Sequence, residues 1–101
     1  MDVFGALANP VRREVLQALD AGPLAAGDLA RRFDLSRPAV SEHLGVLRDA
    51  RLIREERRGR HRYYHLAAEP LAEVESWLQP FERYWRQRLS ALRDVVEGEP
   101  R

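Results

Sequence analysis

The fold is decided by one stretch, residues 24–66, which reads LAAGDLARRFDLSRPAVSEHLGVLRDARLIREERRGRHRYYHL. Its first half contains two short amphipathic segments separated by a turn at residues 34–36. Its second half is rich in arginine and carries Gly59 between two runs that suit β-strands. The predicted order is therefore helix, turn, helix and hairpin.

The second helix of this stretch has a well-defined start. Ser36 is a favourable N-cap residue, and Pro38 is tolerated only within the first helical turn, where its missing N–H leaves no hydrogen bond unmade. The helix is therefore predicted over residues 37–50. At about 100° per residue, three apolar residues fall on one stripe that faces the core: Val40, Leu44 and Leu47.

The opposite face of this helix consists of Pro38, Glu42, Gly45 and Asp49, with Ser41 and Arg48 on one flank. Arg37 can donate two parallel hydrogen bonds to a guanine or to a phosphate, and Ser41 can donate or accept at either. Glu42 has two interpretations, because it can accept from a cytosine amine or simply stabilise the helix N-terminus. His43 lies beside the apolar stripe, where packing is favoured over base contact.

The helix before the turn is predicted over residues 26–33. Its inward residues are Leu29, Ala30 and Phe33. Arg31 and Arg32 lie outward, where they either touch phosphate or form a solvated face. For these two arginines the solvated face is the favoured interpretation.

The hairpin is predicted to consist of strands at residues 53–57 and 61–66, with Gly59 supplying the positive φ of the turn Arg58-Gly59-Arg60. The two-residue period of a strand places Tyr64 and Leu66 on the core face. The other face carries His61, Tyr63 and His65. Five arginines lie within nine residues: Arg54, Arg57, Arg58, Arg60 and Arg62. This density on a protruding hairpin favours contact with DNA phosphates or a minor groove over scattered surface charge.

Two more helices are predicted before this stretch. Asn9 is an N-cap followed by Pro10, and the helix that they open ends at Ala21-Gly22-Pro23. Its buried stripe is Val11, Val15, Leu16 and Leu19. A short first helix is predicted within residues 1–7.

The elements together predict a mainly α fold with a small β-hairpin, in the order α-α-α-α-β-β-α. This is a winged helix-turn-helix, which lays its second helix in the DNA major groove and uses the hairpin as the wing. Eleven residues are predicted to contact DNA: Arg37, Pro38, Ser41, Glu42, His43, Arg48, Arg57, Arg58, Arg60, His61 and Arg62.

The last segment, residues 70–96, has one continuous apolar face. Its apolar residues recur at a mean spacing similar to the ~3.6 residues per turn of an α-helix. They are Leu71, Val74, Leu78, Phe81, Trp85, Leu89, Leu92 and Val96. Trp77 and Tyr84 widen it. Pro80 has no N–H to donate to the carbonyl of Ser76, so a kink or a break into two helices is expected there.

Such a face exceeds what a small core can cover, so a dimer interface is favoured over an intramolecular core helix. The predicted interface residues are Val3, Phe4, Leu7, Leu78, Phe81, Trp85, Leu89, Leu92 and Val96. The chain of 101 residues is expected to form a single domain. Within it, residues 24–66 form the DNA-binding core, and residues 1–19 and 70–97 form the dimerisation helices.

Charge is distributed unevenly along the chain. The net charge is only +1, with 17 arginines and no lysine, but residues 1–30 carry −2, residues 31–62 carry +5 and residues 63–101 carry −2. A positive field therefore coincides with the predicted DNA-binding face. The sequence contains no signal peptide and no apolar run of membrane-spanning length, so the expected location is the cytoplasm, with nucleoid association when DNA is bound.

The sequence offers little for metal or enzyme chemistry. Cysteine is absent, which excludes disulfides and thiolate metal sites. His61 and His65 share a strand face but lie about 13 Å apart at ~3.3 Å per residue, too far apart to chelate one ion. Glu69, Glu73 and Glu75 crowd one helix start, where a hard-cation site is the less favoured interpretation. No catalytic motif is present, so neither a metal nor another cofactor nor enzymatic activity is expected.

The chain resembles the ArsR/SmtB family of bacterial winged-helix repressors over essentially its whole length. The stretches that carry the resemblance are LANPVRREVLQAL (7–19), LAAGDLA (24–30), SRPAVSEHLGVLRDARLI (36–53) and GRHRYYHL (59–66). The resemblance implies a homodimer built from the first and last helices, with two recognition helices in successive major grooves of a palindromic operator.

The chain departs from the metal-sensing members of that family at two places. Ala25 and Ala26 stand where those members have thiolates, and Ala68, Pro70 and Leu71 open the last helix, where others have carboxylates and histidines. The resemblance is therefore to a metal-independent branch with an aromatic last helix.

Two functions from different classes stand at this point. The first is a dimeric, sequence-specific repressor whose partners are operator DNA and a second copy of the chain, with any small-molecule effector unknown. The second is a winged-helix adaptor that binds another protein without specific DNA binding. The arginines of the hairpin and Arg37 favour DNA, since an adaptor has more reason to show an apolar recognition face.

Overall fold

The computed structural model describes residues 1–97. The elements are α1 (Val3–Leu7), α2 (Pro10–Asp20), β1 (Leu24–Ala25), α3 (Ala26–Arg32), α4 (Arg37–Asp49), β2 (Ile53–Arg58), β3 (His61–Leu66), α5 (Leu71–Leu78), a 3-10 turn (Gln79–Phe81) and α6 (Glu82–Glu97). The mainly α winged helix-turn-helix fold is confirmed. Two details of the predicted order need correction, because a third strand precedes α3 and the last segment forms two helices.

Side-chain caps explain where the helices begin. Asn9 Oδ1 accepts hydrogen bonds from the backbone N–H groups of Val11 at 2.8 Å and Arg12 at 3.2 Å. Ser36 Oγ accepts from the N–H of Ala39 at 3.2 Å, at the start of α4. Each bond satisfies a donor that has no partner inside its helix. The predicted starts of α2 and α4 are thereby confirmed.

Arginines of α2 also hold the short α1 in place. Arg12 Nε donates to the carbonyl of Ala6 at 2.7 Å, and Arg13 Nη1 donates to the carbonyl of Leu7 at 2.6 Å. These carbonyls lie in the last turn of α1, where backbone acceptors have no intrahelical partner. A helix of five residues is too short to be stable alone, so these contacts help to fix it against α2.

The sheet has three antiparallel strands in the order β1-β3-β2. β2 and β3 form the predicted hairpin, with Ile53 opposite Leu66 and Glu55 opposite Tyr64. β1 was not predicted, because two residues are too few to show the alternation of a strand. It exists because Leu24 and Ala25 pair with Tyr64 and Tyr63, which are distant in sequence.

The core lies between the helices and the inner face of this sheet. Leu29, Leu47 and Leu52 have the largest fully buried side chains. Val40 and Leu44 are also buried, as the stripe on α4 predicts, and so is Tyr64 of the wing. Val3 lies in the same core, where only 3% of its surface is exposed.

The C-terminal part extends away from this body. Pro80 lies in the 3-10 turn, and of the kink and the break that were expected there, the structure shows the break into two helices. α5 packs on α1, whereas α6 packs chiefly against the 3-10 turn that precedes it. The radius of gyration is 18.2 Å and the longest extent 62 Å, compared with a radius of about 13 Å for a compact chain of this length. No helix among residues 1–97 combines the length and apolar character needed to cross a membrane.

Candidate nucleic-acid interface

The exposed side of α4 presents the polar groups that were predicted to read bases. Arg37, Pro38, Ser41 and Glu42 are exposed within the first two turns of α4. Ser36 caps this helix, so the backbone that carries these side chains is fixed at its N-terminal end. The geometry allows Arg37 and Ser41 to approach the edges of bases, because the major groove admits an α-helix.

Two other predicted contact residues of α4 are placed differently. His43 is half-buried, and its Nδ1 is shielded from water with no hydrogen-bond partner among residues 1–97. Arg48 is exposed, but its Nη1 lies 3.6 Å from Glu55 Oε2. His43 is therefore packed against its neighbours, and Arg48 forms an ion pair with Glu55 of the wing.

The turn of the wing exposes its arginines. Gly59 has φ of 60°, the left-handed value that glycine adopts without strain. Arg58 ends β2, so the loop itself is only Gly59 and Arg60. All five wing arginines and His61 are exposed, which makes their cations available to an anionic partner.

Acidic residues of β2 hold two of these arginines. Arg58 Nη2 lies 2.8 Å from Glu56 Oε1, and its guanidinium carbon lies 5.3 Å from the ring centroid of Tyr63. Arg62 Nη1 lies 3.4 Å from Glu55 Oε1. Within residues 1–97, Arg57 and Arg60 have no carboxylate within 4.0 Å. The wing therefore contains both paired and unpaired cations.

Glu55 joins the wing to α4, and no role was predicted for it from the sequence. Its carboxylate lies near Arg48 of α4 and Arg62 of β3, and Tyr64 OH donates to its Oε1 at 3.3 Å. Burial, and then the charge of Glu55, raises the pKa of Tyr64 above its usual value. The two-residue loop Gly59-Arg60 sets the register that places Glu55 opposite Tyr64. The predicted three-residue turn does not give this register, so the contact was missed.

Glu56 forms a second network on the outer face of the wing. Its Oε1 lies 2.8 Å from His65 Nε2 and 2.8 Å from Arg58 Nη2. The hydrogen bond to His65, and to a smaller extent the contact with Arg58, lowers the pKa of Glu56. This network links β2 to β3 on the side of the sheet that faces away from the core.

The residues predicted for a dimer interface lie mostly on an exposed surface. Phe4 of α1 meets Trp77 of α5 edge to face, with ring centroids 6.1 Å apart, and Trp77 lies 5.2 Å from Phe81. The exposed large side chains continue along α6 and include Trp85, Leu89, Leu92 and Val96. Leu7 is half-buried and Leu78 is 37% exposed. Val3 is a correction to the predicted interface, because it is buried in the protomer's own core and contributes nothing to this surface.

Residues with metal-binding side chains are scattered. No group of three or more His, Asp or Glu side chains within residues 1–97 is arranged to hold a metal ion. His65 is engaged with Glu56, and His61 lies near the ring of Tyr63, with centroids 6.3 Å apart.

Comparison with known proteins places this geometry among regulators of transcription. A family model described as a helix-turn-helix domain matches residues 7–56. Transcriptional repressor SdpR of Bacillus subtilis is 38% identical over 80 residues, which cover 79% of this chain and 89% of that protein. HTH-type transcriptional regulator Rv2034 of Mycobacterium tuberculosis is 40% identical over 94 residues, covering 93% of this chain and 85% of that protein.

The solved structures agree with these relatives. The crystal structure of the ArsR family transcriptional regulator RHA00566 matches with a TM-score of 0.71 and 38% identity, over 82% of this chain and 86% of that chain. The fold, the exposed polar start of α4 and the arginine-rich wing are the parts of a DNA-binding protein, and the relatives that match this chain are regulators rather than enzymes. The chain therefore belongs to the ArsR/SmtB family of winged helix-turn-helix, DNA-binding transcriptional regulators.

Proposed function

We propose that the chain is a dimeric repressor that binds a palindromic operator with α4 in the major groove and the wing on the neighbouring backbone or minor groove. The observation that carries this proposal is that Arg37 and Ser41 of α4 and Arg60 of the wing line one shared cleft. Helix and wing therefore act on the same side of the molecule. A duplex that receives α4 in its groove brings its phosphates to the wing.

The positions of α4 and the wing suggest different roles in DNA binding. Arg37 and Ser41 lie on the first turns of α4, from which side chains reach base edges and confer sequence preference. Arg57 and Arg60 lie at the wing tip without carboxylate partners among residues 1–97, and unpaired cations suit phosphate contacts. His43 is omitted from the proposed contacts because it is half-buried.

The proposed dimer rests on the exposed apolar surface of α5 and α6. A 16-residue helix that packs chiefly on the preceding turn gains little stability from its own protomer. Its apolar stripe remains open to water, with Trp85 40% and Leu92 62% exposed. Pairing with the same surface of a second copy buries both stripes about a two-fold axis. That symmetry in turn requires a palindromic operator, with half-sites about 34–36 Å apart or at multiples of that distance.

Binding to DNA from the region upstream of the chain's own gene tests this proposal. The full chain is titrated against that fragment and against a scrambled duplex of equal length, at several salt concentrations. We expect preference for the upstream fragment by at least about a thousandfold and a steep fall in affinity with salt. Equal, weak binding to both duplexes would contradict the proposal and favour the protein-binding adaptor.

A further inference from the structure

A cleft of about 600 Å³ opens between the wing and the two helices of the helix-turn-helix. It is far larger than one phosphate group needs, and its volume lies within the range of about 300–1,000 Å³ that is typical of small-molecule sites. Three small residues in a row, Ala25, Ala26 and Gly27, line one side and leave this space open. His61 and Tyr63, two residues with aromatic side chains, line it from β3.

The charge of the cleft is strongly positive. Four arginines line it, Arg31, Arg37, Arg60 and Arg62, against a single acid, Asp28. Asp28 is already engaged, because its Oδ1 pairs with Arg31 and its Oδ2 accepts from the N–H of Ala25 at 3.1 Å. Neither Arg37 nor Arg60 has a carboxylate within 4.0 Å among residues 1–97. The cleft therefore holds cations without counter-charges.

The unpaired Arg37 converges above Gly27 with Arg31, whose Nη2 pairs with Asp28 while its Nη1 faces Gly27. A Cβ atom built on Gly27 would lie 3.6 Å from Arg31 Nη1 and 3.6 Å from Arg37 Nη1, so the two nitrogens are no more than about 7 Å apart. One phosphate group between them can accept hydrogen bonds from both arginines. The absence of a side chain at Gly27 keeps that position free.

We propose that this cleft binds a small molecule that carries a phosphate group on an aromatic ring. The phosphate lies between Arg31 and Arg37, and the ring lies against the tyrosine and histidine side of the cleft. Because Arg37, Ser41 and Arg60 also line it, an occupied cleft and a bound duplex exclude one another. The ligand is thus an inducer that releases DNA, and this exclusion rests on the proposed function.

Phosphate chemistry also belongs to the DNA backbone, so the test separates the two sources. Isothermal titration calorimetry on the full chain, without DNA, uses phenyl phosphate as the probe. Inorganic phosphate and phenol are the control ligands, since each represents one half of phenyl phosphate, and all three are titrated at the same ionic strength. We expect saturable binding of one phenyl phosphate per chain, about tenfold or more tighter than either half. If no free phosphate compound binds saturably, the cleft serves the duplex backbone alone and the proposal is overturned.

Variants locate the binding. Gly27→Leu fills the space between Arg31 and Arg37 while leaving all four arginines, and Arg37→Gln removes one cation without adding bulk. Both are expected to weaken phenyl phosphate binding about tenfold or more, whereas Arg32→Gln, on the exposed side of α3 and outside the cleft, leaves it unchanged. Circular dichroism verifies that each variant is folded. Equal binding by wild type and both cleft variants would place the ligand elsewhere and overturn the assignment.

Competition between phenyl phosphate and DNA tests whether the two ligands exclude one another. Phenyl phosphate is expected to raise the apparent Kd for the upstream duplex in proportion to cleft occupancy, while chloride of equal ionic strength does not. Unchanged DNA affinity at saturating phenyl phosphate would overturn the exclusion. If the chain bound no DNA, the proposed function and the exclusion would both fail, but calorimetry without DNA would still decide whether the cleft is a ligand site.

Discussion

Single residues of the wing differ in how free their charges are. Arg58 and Arg62 are held by Glu56 and Glu55, whereas Arg57 and Arg60 have no such partner within residues 1–97. Exposed ion pairs contribute little to stability, typically about 0–1 kcal/mol. Their larger effect here is on the charge that the wing presents to DNA. Counting arginines therefore overstates the number of unpaired cations on the wing.

The first prediction separates wing from helix. Arg60→Ala is expected to weaken binding to operator and scrambled duplex alike and to reduce the slope of log K against log salt by about one. Ser41→Ala is expected to cost about 1–3 kcal/mol at one operator position and to leave scrambled DNA nearly unaffected. Binding isotherms on both duplexes at several salt concentrations measure this. The opposite pattern would reverse the assignment of the two elements.

The second prediction concerns Glu55. Glu55→Gln retains an acceptor for Tyr64 OH but releases Arg48 and Arg62. We expect tighter binding to scrambled DNA and a salt slope steeper by up to about one per released arginine, measured by fluorescence anisotropy. Glu14→Gln, exposed on α2, makes the same change in net charge away from the wing. Equal effects of the two variants would show that Glu55 holds neither arginine.

At the scale of the element, the wing is held by side chains on both faces of its two long strands. Tyr64 anchors the inner face in the core, and the contacts of Glu56 with His65 and Arg58 span the outer face. A two-stranded hairpin is only marginally stable by itself. The core, the third strand and these polar contacts together give the wing a defined position beside α4.

The third prediction follows from the lowered pKa of Glu56. A carboxyl whose pKa is lowered in the folded state stabilises the protein above its unfolded pKa of 4.5, and this contribution is lost as the pH falls through the lower folded value. Glu56→Gln removes that contribution. Thermal unfolding between pH 7 and pH 3 should therefore show a smaller loss of stability on acidification for the variant than for wild type. Parallel curves would mean that the contacts of Glu56 do not stabilise the folded state.

At the scale of the whole molecule, the elongated shape is the main feature. The chain extends to 62 Å because α6 projects beyond the body that contains the sheet. Aromatic contacts between Phe4, Trp77 and Phe81 connect α1 to the base of this projection. The first and last helices therefore share one surface, as the proposed dimer requires.

The fourth prediction tests that dimer. Leu92 is 62% exposed in the protomer, so Leu92→Arg should not disturb the protomer fold. In the dimer the same change buries an unpaired charge at a cost of several kcal/mol. We expect light scattering to show a wild-type dimer and a variant monomer at micromolar concentration. Gln87→Arg, on the opposite side of α6, adds the same charge and should remain dimeric. A monomeric wild type would contradict the interface.

The sequence by itself determined the features that depend on neighbours along the chain. Ser36 and Pro38 set the start of α4, the spacing of Val40, Leu44 and Leu47 identified its buried face, and Gly59 located the wing turn. Caps, helical periodicity and a positive φ act over a few residues. Their signals can therefore be recognised without knowing how the chain folds back on itself.

Only the tertiary structure decided which distant residues meet. β1 pairs with β3 across about forty residues, and no pattern within Leu24 and Ala25 indicates it. Glu55 meets Arg48 and Arg62 only once the wing lies beside α4. Val3 packs inward because a five-residue helix has apolar side chains on more than one side, and the positions of α2 and α5 around it determine which side is buried. The physical reason is common to all three, since packing and ion pairing depend on distance in space, which local sequence rules do not specify.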